Sequence, residues 1–324
     1  MSNFVRIATS AGSPEGTNSA YLLPERGVLI DPGPPTERAW KRLRRGIGAT
    51  ETALSEIDHV LVTHWHVDHV GLAPRVADRA DATVHMHATD EPLLGNYAEE
   101  RERRLRRDAR RLEEWGVPRP TRESVIAGDT HSPLPDEYAI RAHDDGDVVA
   151  GLEIVHVPGH TAGHAAFSPA DHAAVSTPET VFVGDLLLPT YTPNVGGGDT
   201  RMTDPLGAYA ESINRIRELA TVGEPGHGTT IELEAEIESV TDHHVKRAAG
   251  VIDVLSGIER ATPWDVATAL FGEMHGVHAK FGAGEAAAHL RRLAERGAVE
   301  RVDDDPVLYH RSSNSDFDAG DLFP

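Results

Sequence analysis

The chain of 324 residues contains no cysteine. That excludes disulfides, thiolate metal ligands and cysteine nucleophiles, so any metal must be held by His, Asp or Glu. Lysine is nearly absent too: Lys41, Lys246 and Lys280 are the only three, and arginine supplies the rest of the 31 positive charges set against 52 Asp and Glu. The resulting net charge of −21 predicts a dense acidic surface of the kind that stays dissolved in concentrated salt, as in a halophile. It disfavours nucleic acid as a partner in dilute buffer, although that argument weakens in molar salt, where the Debye length is about 3 Å. A long apolar run is also lacking. No segment could span a bilayer, and the amino terminus, "MSNFVRIATSAGSPEG", has no apolar stretch behind basic residues. A cytoplasmic protein without a membrane partner is the expectation.

What is present is enough hydrophobic content, 39%, for a packed core, over a length that suits one large and one small domain. The first two-thirds alternates short β-rich runs with turns and helices. "YLLPERGVLIDPGP" reads as two strands around a turn, ending at Asp31, and "IDHVLVTH" as a buried strand. "ATVHMH", "GLEIVHV", "HAAFSP" and "TVFVGD" read as further strands. Residues 90–130 interrupt the pattern with a helical insertion. It carries seven arginines from Arg101 to Arg111, either a wall for an anionic substrate or a solvated helix held by Arg–carboxylate pairs. From about Glu234 the chain turns helical, with Thr262 as the cap of "TPWDVATALFG", and ends in the hairpin-like "VERVDDDPVLYHR". The expected domains are 1–233 and 234–312, followed by a disordered tail over 313–324.

Histidine and aspartate concentrate at the ends of these strands. "THWHVDH" places His64, His66, Asp68 and His69 within six residues behind an apolar run. His160 lies in "PGHTAGH", Asp185 in "VGDLLL" and His227 in "PGHGTT", each beside glycine, which permits sharp turns and close backbone approach. Imidazole with carboxylate suits Zn²⁺, Mn²⁺ and Fe. Single histidines such as His59, His85, His87, His143 and His156 match no motif and read as structural. His164 reads as a loop support, and His243 and His244 as surface residues of a long helix.

Together, "THWHVDH", "PGHTAGH", "VGD" and "PGHG" resemble the metallo-β-lactamase fold superfamily over about residues 4–232. "HHVKR", "TPWDVATALF" and "HLRRLAERGAVER" resemble the winged-helix extension of its lactamase-beta-2-like branch. The resemblance implies an α+β fold: an αββα sandwich of two mixed sheets with helices outside, followed by a winged-helix-like domain. It assigns His64, His66 and His160 to a first metal and Asp68, His69 and His227 to a second, with Asp185 bridging. Two divalent ions, zinc first and manganese or iron as alternatives, would hold a hydroxide between them. Asp68 and Asp185 are the catalytic candidates, and Asp31 is either a support for a ligating ring or a turn residue before Pro32. All seven ligand candidates precede Glu234, so a chain cut there is expected to keep its metals.

The function expected from this pattern is hydrolysis of an ester, thioester or related acyl bond in a small molecule. A metal-dependent endoribonuclease acting on RNA is the first alternative. A mononuclear iron sulfur dioxygenase and a winged-helix nucleic-acid-binding protein represent other classes, and a homodimer is compatible with all of them. Against DNA binding, the third helix sets three arginines against two glutamates, and "VDDDP" would place carboxylates where a wing meets phosphate.

Overall fold

In the computed structural model, which describes residues 4–10, 15–170 and 180–312, the short apolar runs assemble into two six-stranded sheets. The first has the order β1-β2-β3-β4-β5-β6: β1 Val5–Ala8, β2 Ser19–Leu23, β3 Val28–Ile30, β4 His59–Leu61, β5 Thr83–His87 and β6 Ile140–His143. Strands β1 to β3 pair antiparallel and β3 to β6 parallel. The second sheet has the order β12-β11-β10-β9-β8-β7: β7 Val148–Val149, β8 Leu152–His156, β9 Ala165–Pro169, β10 Thr180–Gly184, β11 Val222–Pro225 and β12 Ile231–Glu232. It too is mixed, with β10 and β11 parallel and its other pairs antiparallel. The expected sandwich of two mixed sheets is therefore present. Residues 313–324, where the sequence predicts a disordered tail, lie outside the described residues.

The helices are α1 Glu37–Gly48, α2 Val67–Val70, α3 Ala73–Ala80, α4 Pro92–Gly95, α5 Tyr97–Glu114, α6 Arg119–Gly128, α7 Pro205–Leu219, α8 Leu233–Gly257, α9 Pro263–Phe271 and α10 Val277–Glu295. Helix α1 starts where the Thr36 hydroxyl accepts the Ala39 amide, and it buries Ala39, Trp40, Leu43 and Ile47, spaced three and four apart. These side chains join Val60, Val76 and Val84 in one core. On the opposite face of the first sheet, Tyr21, Val28, Ile30 and Leu61 meet Ile154, Phe167 and Phe182 of the second. Strand β3 faces both cores, which is why "VLI" is an unbroken apolar run rather than an alternating one.

The chain divides into two compact units. The first runs up to Arg101 and takes up Ser132–Pro193 and Ser212–Ile237; the second comprises Glu102–His131, Asn194–Glu211 and the chain from Glu238 on. Both sheets lie in the first. The second has its own core, in which Leu112, Trp115, Val117 and Val125 pack with Ala248, Val251, Val266, Leu290, Leu293 and Tyr309. Thr262 caps α9 reciprocally with Asp265. The hairpin is β13 Val299–Asp304 with β14 Val307–Arg311. Three of the seven arginines of α5 meet carboxylates: Arg104 grips Asp129 through two bonds of 2.7 and 3.1 Å, Arg106 meets Glu102 and Arg111 meets Glu114. Lys280, one of the three lysines, is buried against Asp108 at 2.7 Å. His244, expected at the surface, is 1% exposed and bonds His289.

Between the sheets, the apolar layer gives way to imidazoles at one end. His59, His85 and His143 form a chain across β4, β5 and β6, with ring nitrogens 3.0 and 2.9 Å apart, and His143 ends it on Asp147 at 3.2 Å. His87 and His156 stack in parallel with centroids 3.9 Å apart. Burial, together with His143 and His59, pushes the His85 pKa down from 6.5 to about 3, and burial with His156 pushes His87 to about 4. A depressed histidine pKa stabilises the fold only while the ring is neutral. This contribution is complete above the unfolded value of 6.5 and is lost as pH falls from there toward about 3. The melting temperature should therefore drop between pH 7 and pH 4, and His85→Phe, which cannot be protonated, should flatten that drop. Equal slopes for the two proteins would remove His85 from the account.

Candidate metal centre

Four loops carry the ligand candidates, and each follows a strand end. The segment after β4 passes straight into α2, which sets Asp68 and His69 on its single turn. His160 follows β8, Asp185 directly follows β10, and His227 lies two residues past β11. The last loop is tied to the first sheet by the Tyr21 hydroxyl, which donates to the Pro225 carbonyl at 2.6 Å, and by the Ser19 hydroxyl, which donates to Gly228 O at 2.9 Å. Glycine is required in it. A Cβ on Gly226 would lie 2.3 Å from Asp185 Oδ1 and 2.5 Å from the His69 ring.

All seven residues picked out in the sequence come together. His66 Nδ1 lies 3.0 Å from both His64 Nε2 and His160 Nε2. His227 Nε2 lies 3.2 Å from His69 Nε2 and 3.3 Å from Asp68 Oδ2. Asp185 Oδ2 sits between the two groups, 3.8 Å from His160 Nε2, 4.0 Å from His64 Nε2, 3.3 Å from His69 Nε2 and 3.5 Å from His227 Nε2. The donor atoms thus form three overlapping sets, each within 4.8 Å: His64, His66 and His160; His64, His69 and Asp185; Asp68, His69 and His227. Five of the seven side chains are buried; His66 is half-buried, and Asp68, at 35% side-chain exposure, opens the site to solvent.

Asp31 orients two of the rings. Its carboxylate accepts the Thr63 amide at 2.8 Å and the Thr63 hydroxyl at 2.6 Å. With its proton so committed, the Thr63 oxygen can accept Nδ1–H of His64 at 3.0 Å. Asp31 also lies 3.0 Å from His69 Nδ1. Both rings then turn an Nε2 lone pair inward, the form a metal ligand needs. Asp31 is at once this support and a turn residue, with φ of 45°.

Three further residues hold the site, and no motif in the sequence marks the first of them. Asp90, fully buried, accepts Thr161 Oγ1 at 2.7 Å, the Gly163 amide at 2.9 Å and the Trp65 amide at 3.3 Å, lacing the His160 loop to the His64–His66 loop. Asn18 donates to Asp68 Oδ2 at 3.0 Å and to the Asp68 carbonyl at 3.2 Å. His164 supports its loop as expected, and its Nε2 also accepts the Asp185 amide at 3.1 Å.

The electrostatics divide the site in two. Burial holds His64 well below the ordinary imidazole value and His66 at about 3, so both stay neutral. Burial also opposes charge on His69 and His227, but Asp185 and Asp68 outweigh it; His69 is raised well above its ordinary value and His227 to about 10. Against burial, His69 and His227 hold Asp68 and Asp185 below the usual carboxylate range. Protons thus accumulate where the carboxylates converge. Asp185 Oδ1 and His227 Nδ1 are buried with no hydrogen-bond partner. Neutral nitrogens 3.0 Å apart, a central carboxylate and an unmatched buried oxygen all fit a pair of divalent cations held by five imidazoles and two carboxylates. The buried clusters are consistent with a dinuclear metal site.

Comparison with known proteins gives a concordant result. The family model for the metallo-beta-lactamase superfamily matches residues 13–221. The probable metallo-hydrolase YqjP of Bacillus subtilis is 27% identical over 302 residues, 88% of this chain and 90% of its own length. An atrochrysone carboxyl ACP thioesterase of Aspergillus fumigatus is 27% identical over 276 residues, 80% of this chain and 70% of its own. The crystal structure of the metallo-beta-lactamase family protein TTHA1429 from Thermus thermophilus matches with a TM-score of 0.75 at 27% identity, covering 96% of this chain and 99% of that one.

Proposed function

This chain belongs to the metallo-beta-lactamase superfamily as a metallo-hydrolase, and on that premise we propose that it hydrolyses acyl bonds, thioesters foremost, with two zinc ions. The observation that carries the reading is the central place of Asp185 Oδ2, within 4.0 Å of a ligand nitrogen on His64, His69, His160 and His227. His64, His66 and His160 would hold one ion, Asp68, His69 and His227 the other, and Asp185 both. Bound there, the ions would supply a water acidic enough to attack near neutral pH and would polarise the scissile carbonyl. The residues do the rest. Asp185 fixes the distance between the two halves. Asp68, the exposed member, faces incoming substrate and accepts or returns a proton at its free oxygen, while Asn18 holds the other. Asp31 keeps the His64 and His69 tautomers fixed. The thioester preference is supported by the similarity to an ACP thioesterase.

We read α8 to α10 and the β13–β14 hairpin as the winged-helix extension of the lactamase-beta-2-like branch. Its third helix spends Arg291 on Glu295 and Arg292 on Asp204, which supports a packing role over phosphate binding.

Three measurements test the proposal. Elemental analysis should find up to two zinc ions per chain, and zinc uptake should release protons, since His69 and His227 must give theirs up. Titration calorimetry in buffers of different ionisation enthalpy reads that release. A panel of acyl thioesters, lactones, a β-lactam and single-stranded RNA should show turnover first on the thioesters. Protein that takes up no transition metal, or that cleaves only RNA, would overturn the reading.

A further inference from the structure

The strongest unassigned feature lies on the first unit, at the open edge of its first sheet. Strand β1 pairs with β2 alone, and among the described residues nothing pairs with its outer side. Beside it runs a groove of about 930 Å³ between β1 and α1, with Val5, Ile7, Pro24, Gly46 and Ala49 among its walls and Arg42 and Arg45 at its rim. The groove is shaped by close packing: a Cβ on Gly46 would come within 2.5 Å of Ile7. Val5 is 39% exposed, a large apolar side chain left uncovered on a sheet edge.

The charge of this face is the reverse of the whole chain. Helix α1 carries five cations and one carboxylate in twelve residues, in a protein of net charge −21. Arg38, Lys41, Arg42 and Arg45 line one further open depression. None of these four, nor Arg44, makes an ion pair among the described residues, and the single acid, Glu37, is bonded to Arg75. Arg44 lies over the Trp40 ring, 5.9 Å from its centroid, and Lys41 is near enough to Glu37 to favour its ionised form.

We propose that this edge is a docking site for a partner protein that presents an extended segment of alternating acidic and apolar side chains, added antiparallel or parallel to β1 as a seventh strand. Its backbone satisfies the free edge of β1. Side chains of an added strand alternate between two faces, so the acids, at every second position, enter the groove and meet Arg42 and Arg45 beside Val5, while the apolar side chains between them take the opposite face of the sheet. A second copy bound through the same face is disfavoured, because it would bring two unpaired cationic helices together. A nucleic acid would bring phosphates for the arginines but no side chains for the apolar groove and no backbone for the strand edge.

The test is fluorescence anisotropy with the full-length protein and a labelled short peptide alternating Asp and Val. Saturable binding that weakens with salt is expected. Binding should weaken at least about tenfold when Asn replaces Asp in the peptide, and again for Arg42→Glu/Arg45→Glu protein, as for charge-complementary contacts. Proline at the centre of the peptide, which removes a ladder donor, should also abolish it. Ala49→Trp fills the groove without changing charge and should block binding even if the double reversal fails to fold. Equal affinity for the Asp and Asn peptides, indifference to Ala49→Trp and to proline, or displacement of the peptide by a short single-stranded RNA that binds more tightly would each overturn the proposal.

Discussion

Asp185→Ala is expected to abolish turnover while leaving the protein folded, with a rate loss on the order of a thousandfold or more, equivalent to about 4 kcal/mol of barrier. Four of the candidate ligand histidines face one oxygen of this carboxylate. Alanine removes the group that neutralises and spaces both halves, so metal content should fall in both. His160→Ala, by contrast, removes a donor from the first half only. It should lower metal content there and spare the second. Inductively coupled plasma mass spectrometry beside a thioester assay separates the two outcomes. Wild-type rates from Asp185→Ala at matched metal content would end the two-metal reading.

The second large effect concerns the carboxy-terminal helices. Because every ligand candidate precedes Glu234, a cut there would be expected to leave an intact metal-binding core. The packing argues otherwise. Leu112, Trp115, Val117 and Val125 come from the inserted stretch, yet their neighbours include Ala248, Val251, Leu290 and Leu293 from beyond the cut. Exposing four such side chains costs on the order of 6–12 kcal/mol, comparable to the whole stability of about 5–15 kcal/mol typical of a domain. A chain ending at Leu233 should therefore aggregate or melt far below the full-length protein. A soluble truncated chain with an unchanged melting temperature and full metal content would refute this.

The candidate ligands were legible because metal chemistry is narrow. Few residue types can bind zinc, glycine marks the tight loops, and strand ends present both, so "THWHVDH" to "PGHG" could be read without coordinates. The strands and caps were legible for a similar reason: Thr262 with Pro263 and Asp265 encodes its helix start locally. Asp90 was not, since an aspartate in "ATDEP" looks like any loop residue until three amide and hydroxyl donors from distant loops converge on it. Nor was the His59–His85–His143 chain, because strand neighbours 26 and 58 positions apart are set by sheet order, not by spacing. The seam at Glu234 marked a change in composition. Which earlier segments share a core with the later ones is a property of the fold alone.

The hydroxyl of Tyr21 and the loop it anchors bear on how the protein is made. The histidines at 64, 66 and 69 leave the ribosome early, but position 227 follows only after more than half of the chain has been added, and its loop is fastened to a strand that emerged near the start. During synthesis the first imidazoles are exposed without the carboxylate or the last ring that complete the set. A nascent chain can therefore offer only a weak, incomplete site to passing ions. On the proposed ligand set, selection among metals would wait until both sheets have closed, when the geometry can discriminate among candidates that a bare peptide would take in order of affinity alone.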